Sequence, residues 1–346
     1  MDAGRKRELE QKVYAGERLT RADGEALYAS DDLSWLGRLA HHRRTEAHGD
    51  RVTFVAAAPE VAGADPVPRW RDLPELLRQL ATAPAGTSRV VTAADVLRLE
   101  AATGRGADEL LDELVAAGLE SLAGGDAEVF DSQTAARPGG TPTGWADWAR
   151  VHRLAHARGL RTAATMWYGR GEEPGHRVDH LIRLRELQDE TGGFQVFIPL
   201  RHEPGAAGAV DGDPAGVGAA RPGDAPRAAS PAESLKTFAV SRLLLDNVPH
   251  LRCSWSTHGL SLASLALSFG VDDLAGPPTD LAGAPADVRD PAGRDTAAPS
   301  RDELVNLIWD AGFRPVERDR GYAVVREYDP PIPLALRRAE PQRIWA

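Results

Sequence analysis

The sequence predicts an α/β fold built on a parallel sheet or barrel, and three observations carry that prediction. The stretch Arg161 to Leu200, RTAATMWYGRGEEPGHRVDHLIRLRELQDETGGFQVFIPL, reads as strand, helix, strand. Thr162 to Tyr168 is a short β-branched and aromatic run closed by Gly169, Gly171 and Pro174, and Arg177 to Asp189 places Val178, Leu181, Ile182, Leu184 and Leu187 on one helical face. Thr191, Gly192 and Gly193 end that helix before the apolar run Phe194 to Leu200, which Arg201, His202, Glu203 and Pro204 stop. A strand, a crossover helix and a second buried strand make a right-handed βαβ unit. The chain as a whole runs from helices into alternating strands and helices, with no internal repeat. Its 346 residues suffice for one large barrel or two ordinary domains. In such folds a ligand lies beyond the carboxyl ends of the strands.

Taken in order, Arg5 to Arg44 reads as two or three helices, with Val13, Leu19, Leu27, Leu33, Leu36 and Leu39 at helical spacing and a capping box at Thr20 and Asp23. Arg51 to Ala58 is a first strand, followed by the aperiodic APEVAGADPVPRW. Leu73 to Leu80 is a helix, Arg89 to Thr92 a strand, and Ala93 to Leu99 and Ala107 to Ala117 are helices, the second capped by Gly118. Ser121 to Phe130 is a strand with a turn at Gly124, Gly125 and Asp126, and Trp145 to Arg158 is a helix leading into the βαβ unit. Glu203 to Pro231 is rich in Gly, Ala and Pro and predicts a flexible loop. Order returns with a helix, a short strand at Leu251 to Trp255 and another helix. Gly276 to Ser300 is low in complexity, and the end is an amphipathic helix followed by an extended segment or hairpin.

A net charge of −10 with scattered Lys and Arg excludes a nucleic-acid surface, which needs clustered positive charge. No apolar run of spanning length occurs, and Met1 to Gln11 is charged where a signal peptide needs an apolar core, so a cytoplasmic protein with no membrane partner is expected. The single cysteine, Cys253, excludes an internal disulfide and any cluster needing three or four thiolates from this chain.

KVYAGERLTRADGEALY, LAHHRRTEAHGDRVTF, AGLESLAGGDAEVF, ATMWYG, RVDHLIRLRELQDETGGFQVFIPL, LKTFAVSRLLLDNVPH and ALSFGVDDLAG, in that order, resemble the aminofutalosine synthase family. These are radical S-adenosylmethionine (SAM) enzymes of the futalosine route to menaquinone, similar also to dehypoxanthine futalosine cyclase and the halves of F0 synthase. The resemblance implies a partial (β/α) TIM barrel that joins a chorismate-derived enolpyruvyl benzoate to the adenosyl group of the cofactor. It also implies a 4Fe–4S cluster held by three thiolates, which family members supply as Cys-x3-Cys-x2-Cys just beyond the position matching Val52 to Val55. Here Ala56 begins AAAPEVAGADPVPRW, and the family pattern resumes around Leu73 to Gly104. The expectation is therefore a truncated radical-SAM-type barrel lacking the cluster loop, the first crossover helix and most of the second strand. Its exposed edge must be covered by a partner, by Ala56 to Trp70, or by the long loops.

The resemblance sets ligand contacts at Gly124, Gly125 and Glu128, in a turn where a carboxylate can accept from a ribose; a purely structural turn is the other reading. Thr165, Tyr168, Gln195 and Pro199 stand near the ends of two strands, either facing a ligand or packing internally. His152 with His156, and His176 with His180, have metal-binding spacing but no evident third ligand, and read as surface or supporting histidines. Cys253 reads as a buried, inert thiol. Asp246, Asn247, Pro249 and His250 form a polar capping turn, and a Ser254, Ser256, His258 triad lacks a nucleophile-elbow pattern.

The expected organisation is a helical prefix over 1–50, a truncated barrel over 51–275 with a flexible insertion at 203–231, a linker over 276–300, and a carboxyl-terminal helix with an extended segment over 301–346. The expected function is a cluster-less relative of aminofutalosine synthase, a pseudoenzyme or accessory binding protein, with no cofactor. The alternatives are a transferase whose iron–sulfur and SAM half comes from a second chain, or a cluster-free enzyme on a related carboxylated substrate. A small-molecule ligand and an intact paralogue or other subunit are the expected partners.

Overall fold

The computed structural model describes residues 1–55, 70–83, 89–124, 143–169, 172–201, 229–276 and 298–329. The prefix folds as α1 (Ala3–Tyr14), α2 (Arg21–Tyr28) and α3 (Leu33–His48). The capping box forms as the sequence predicts: Thr20 Oγ1 accepts from the Asp23 amide, and the Asp23 carboxylate accepts from the Thr20 amide. Asp23 is fully buried and also receives Arg5 at 2.8 Å and Lys12 at 3.1 Å, so one side chain caps α2 and ties it to α1.

Strand β1 (Arg51–Phe54) precedes α4 (Leu73–Thr82), β2 (Val90–Thr92), α5 (Ala93–Thr103), α6 (Ala107–Ala116), β3 (Ser121–Ala123) and α7 (Trp145–Ala157). The βαβ unit appears as β4 (Thr162–Tyr168), α8 (Pro174–Thr191) and β5 (Phe194–Arg201). Pro174 opens α8 at its first turn, where a missing N–H costs nothing, and left-handed Gly192 closes it. Then come α9 (Pro231–Leu244), β6 (His250–Ser254), α10 (Trp255–His258), α11 (Leu260–Ala266), β7 (Asp273–Ala275), α12 (Arg301–Asp310), β8 (Arg314–Arg318) and β9 (Val324–Glu327). Helix α9 begins inside the stretch expected to be a loop, with Ser230 as its N-cap; 202–228 and 277–297 lie outside the described residues. No described helix is long and apolar enough to cross a membrane.

Seven strands form one sheet in the order β4-β5-β6-β7-β1-β8-β9, parallel except for the antiparallel β8–β9 hairpin, while β2 and β3 pair with each other. The sheet curls, because Ala123, Ala163, Val196, Ile198 and Leu200 share one apolar cluster with Tyr322, which lies just beyond β8, five places along the sheet from β4. The larger core lies between the outer face of the strands and the helices, and the prefix helices join it. A Cβ on Gly24 would come within 2.9 Å of Leu244 and 3.0 Å of Val178, so α2 needs a glycine to seat against α8 and α9. One result differs from expectation. Strand β1 pairs on both sides with later strands of this chain, with β7 and with β8, the latter in parallel from Arg51↔Arg314 to Phe54↔Glu317. The predicted terminal hairpin exists, but its seat depends on a pairing across some 260 residues of sequence that local patterning cannot reveal.

Candidate functional site

The concave face of the sheet has an apolar wall and an ionic end. The wall comprises Ala163 on β4, Val196, Ile198 and Leu200 on β5, and Ala123 at the end of β3, with Trp167 and Tyr322 packed against them. The ionic end is centred on Asp273, which is fully buried at the start of β7. Its carboxylate accepts from Thr53 Oγ1 at 2.7 Å, Arg318 Nε and Nη2 at 2.7 Å, Arg252 Nε at 2.7 Å and the Tyr322 hydroxyl at 2.9 Å. Burial pushes this carboxyl up, but the Arg318 and Arg252 guanidiniums outweigh burial and hold it far below the usual carboxylate range. Burial pushes the Tyr322 phenol up, so it stays a neutral donor to Asp273 and acceptor from Arg252 Nη2 at 3.0 Å. The Tyr322 backbone has φ 66°, a left-handed conformation unusual for an aromatic residue; the Arg318 guanidinium 3.8 Å over its ring and the His250 ring stacked at 4.1 Å hold it there.

Asp273→Asn is expected to cost about 3–5 kcal/mol, because two buried guanidiniums lose their common counter-charge while their desolvation remains. Urea unfolding followed by circular dichroism measures this; a loss under about 1 kcal/mol would show that the cluster is solvated.

Among the described residues, those singled out from sequence fall on both faces of the sheet. Gly124 is set by close approach: a Cβ there would lie 2.7 Å from Thr165 Cγ2 and 2.9 Å from the Ala163 carbonyl, and the Thr165 hydroxyl donates to the Gly124 carbonyl. Gly125 and Glu128 lie outside the described residues. Gly124→Ala is expected to destabilise by about 1–3 kcal/mol, since backbone and not a flexible tip must give way; an unchanged thermal midpoint would refute the close approach. Gln195 is the extra residue at the β4–β5 register shift, where Thr162 faces Phe194 and Ala163 faces Val196. That puts it at the start of β5, away from the carboxyl ends.

Tyr168 lies on the helix side of β4 and not toward the concave face. Its hydroxyl bonds Ser234 Oγ at 2.8 Å and His258 Nε2 at 3.0 Å, while the Arg177 guanidinium stands 5.2 Å from its ring and bonds Glu172 and Glu233. Pro199 is buried and paired with Met166, a residue of the helix-side core, so it shares that phase.

Of the two histidine pairs, His152 and His180 are buried and His156 and His176 half-buried, and their contacts make them supporting groups. His152 Nδ1 and His156 Nε2 share the Thr162 hydroxyl at 3.2 and 2.7 Å, His156 Nδ1 bonds Thr191 Oγ1 at 2.7 Å, and His180 Nε2 donates to the Thr165 carbonyl at 2.9 Å. His258 bonds the Ser254 carbonyl and the Tyr168 and Thr257 hydroxyls, while Ser254 Oγ bonds Ser256 Oγ, so no serine hydroxyl meets the imidazole as a triad would require. Asn247 donates to the Arg185 carbonyl and Asp189, and Asp246 pairs with Arg18, which makes their turn a tie between α8, α9 and the prefix. Sequence reasoning missed the convergence of His48, His250 and Asp272, whose ligand atoms all lie within 4.8 Å of one another. Their separation along the chain left no spacing signal.

No family model matches the chain. Among curated proteins it is 44% identical over 397 aligned residues to aminodeoxyfutalosine synthase of Streptomyces coelicolor, covering 99% of this chain and 100% of that one. It is 31% identical to the aminodeoxyfutalosine synthase of Thermus thermophilus, over 93% of this chain and 96% of that one. It is 30% identical to cyclic dehypoxanthine futalosine synthase of Halalkalibacterium halodurans, over 68% of this chain and 58% of that one. The first alignment is 397 residues long against a chain of 346, so it includes residues of the relative that this chain lacks. Among solved structures the fold is shared with the FeFe-hydrogenase maturase HydG of Carboxydothermus hydrogenoformans (TM-score 0.58, 14% identity, 92% of this chain and 81% of that one). It is shared also with methylornithine synthase PylB (TM-score 0.52, 16% identity, 89% and 97%).

These similarities correct the expectation of a chain with no cofactor. Its relatives over nearly the whole chain and its fold neighbours are radical SAM enzymes that use a 4Fe–4S cluster and SAM. The chain's own thiol does not fit the cluster. Cys253, the one cysteine in the sequence, is fully buried in the core between β6 and the helices, and burial pushes its thiol up, whereas the cluster needs three accessible thiolates.

Proposed function

Since the chain belongs to the aminodeoxyfutalosine synthase family, we propose that it serves that family's reaction in menaquinone biosynthesis as the substrate-holding member of a two-chain unit, in which a cysteine-complete paralogue provides the cluster thiolates. The observation that carries this reading is an α/β frame that aligns from end to end with a family member and whose one cysteine is sealed behind a strand. No step through the cluster is assigned to residues of this chain. What they do is bind and exclude water. The apolar wall of Ala163, Val196, Ile198 and Leu200, with Trp167 and Tyr322 beside it, suits an aromatic ring, and the neighbouring guanidiniums of Arg252 and Arg318 favour a carboxylate nearby. An enolpyruvyl benzoate has both features.

A second reading, a pseudoenzyme that binds without taking part in catalysis, is favoured by the tie-up of both guanidiniums on Asp273. One set of measurements separates the two. The chain is titrated calorimetrically with the enolpyruvyl benzoate and with SAM, alone and mixed with an anaerobically reconstituted cysteine-complete paralogue, and product is followed by mass spectrometry. The two-chain unit predicts benzoate binding by this chain and product formation by the mixture above that of the paralogue alone. Binding without a gain in product supports the pseudoenzyme. No heat with the benzoate overturns both.

A further inference from the structure

We propose that His48, His250 and Asp272 form a divalent-metal site, best suited to zinc, at the amino-terminal mouth of the sheet, on the side away from the carboxyl ends of the strands. His48 is the last residue of α3, His250 opens β6, and Asp272 immediately precedes β7, so three separate elements bring one donor each to a single point.

Geometry sets this cluster apart from a plain hydrogen-bonded one. The Asp272 carboxylate is fixed through Oδ1, which accepts from the Arg242 guanidinium and from the Leu251 amide at 2.8 Å. That leaves Oδ2 facing the imidazoles. His250 Nδ1 lies 2.6 Å from Oδ2, a proton-sharing contact. His48 Nε2 lies 3.5 Å from the same oxygen, too far for a useful hydrogen bond. With metal–ligand bonds of about 2.0–2.2 Å, two donors on one tetrahedral ion stand about 3.4 Å apart, which matches the His48 spacing and requires His250 to open by less than about 1 Å. The two imidazole rings are stacked at 5.3 Å, and Tyr322 stacks on the far side of His250 and fixes its plane. The Pro249 carbonyl, 3.0 Å from His48 Nε2, or a water supplies a fourth donor.

The surroundings accommodate the charge. Arg242 neutralises Asp272 through the oxygen that the metal does not use, the arrangement in which an outer partner orients a ligating carboxylate. His48 and His250 keep side-chain exposures of 18% and 16%, enough for an ion to enter. His48 opens on a cleft of about 530 Å³, where Glu46 and Asp246 offset Arg43 and Arg242. Two imidazoles and one carboxylate with an open position are a zinc donor set. Binding selects the tautomer that turns a bare nitrogen to the ion: the proton on His48 Nε2 and the one between His250 Nδ1 and Asp272 give way to a proton on the other nitrogen of each ring, so both imidazoles bind as neutral ligands. The bound ion would clamp the end of α3 to β6 and β7.

The test is equilibrium dialysis of the chelator-treated full chain against zinc, with bound metal quantified, for the wild type, His48→Gln and His250→Gln. One zinc per chain is expected, with affinity falling about tenfold or more in each variant and zinc raising the thermal midpoint of the wild type alone. Both variants retain Asp272 and its Arg242 partner, and far-ultraviolet circular dichroism of each confirms the fold. No zinc bound by the wild type, or equal binding by all three proteins, overturns the site.

Discussion

Ending the chain at Ala311 is expected to abolish the single cooperative unfolding transition or lower stability by more than about 5 kcal/mol, a large part of what a domain has to lose. The deleted piece is small but touches three systems. Strand β8 gives β1 its second neighbour through four registered pairs. Phe313 and Val316 are buried, and a large buried side chain contributes about 3–5 kcal/mol against its truncation. Arg318 brings two of the contacts that keep Asp273 ionised, so its loss leaves a buried carboxylate with one guanidinium. Urea titration followed by circular dichroism reads the result. Val325→Lys, on the exposed outer strand β9, is the control and should stay within about 0.5 kcal/mol of wild type. An unchanged midpoint in the truncated chain would mean that β8 is an appendage.

Acidification from pH 7 to pH 5 is expected to destabilise the protein by several kcal/mol. Burial pushes the imidazoles of His156 and His258 down to about 4 and that of His180 to about 3, and it drives His152 well below its ordinary value. In the unfolded chain each titrates near 6.5. Between 6.5 and the folded value the unfolded state binds more protons, so stability is present above about pH 6.5 and is lost as pH falls. Each such histidine contributes about 2 kcal/mol of loss by pH 5. Asp273, whose carboxyl is held low, adds its own loss only below the ordinary carboxylate range. Urea midpoints at pH 7, 6 and 5 measure the effect. A flat profile would mean that these histidines are hydrated, and His156→Gln should remove part of the slope.

The βαβ unit was legible because its phase changes are marked by residues with no alternative use: Gly192 needs a left-handed backbone, and the apolar periods switch from helix to strand within three residues. The family was legible for a related reason, since long segments kept their order. Which face of β4 meets a ligand was not legible. TAATMWY is apolar or small on both phases, so the alternation that sorts Trp167 from Tyr168 leaves no trace in composition. Gln195 and Pro199 were singled out for standing near strand ends, either facing a ligand or packing internally; the register shift sets Gln195 at the start of β5, and Pro199 pairs with Met166 of the helix-side core. The histidines at four-residue spacing read from sequence as surface or supporting groups, and spacing could not choose between the two. The supporting role of His152 and His156 rests on Thr162, one hydroxyl serving two rings, and only tertiary structure supplies that. The ionic cluster on Asp273 and the three donors near Asp272 unite β1, β6, β7 and β8, and nothing local announces such a meeting.

The seat of β8 also has a consequence in time. Strand β1 is made early, yet its two neighbours, β7 and β8, come from beyond residue 270. A nascent chain therefore presents an unpaired strand, with Val52 and Phe54 destined for full burial, until β7 has been made more than 200 residues later. Closure across that span is a late and entropically costly event. The interval before it is when the chain is most exposed to aggregation and most dependent on chaperones, so expression at lower temperature should raise soluble yield even though the finished fold is unchanged.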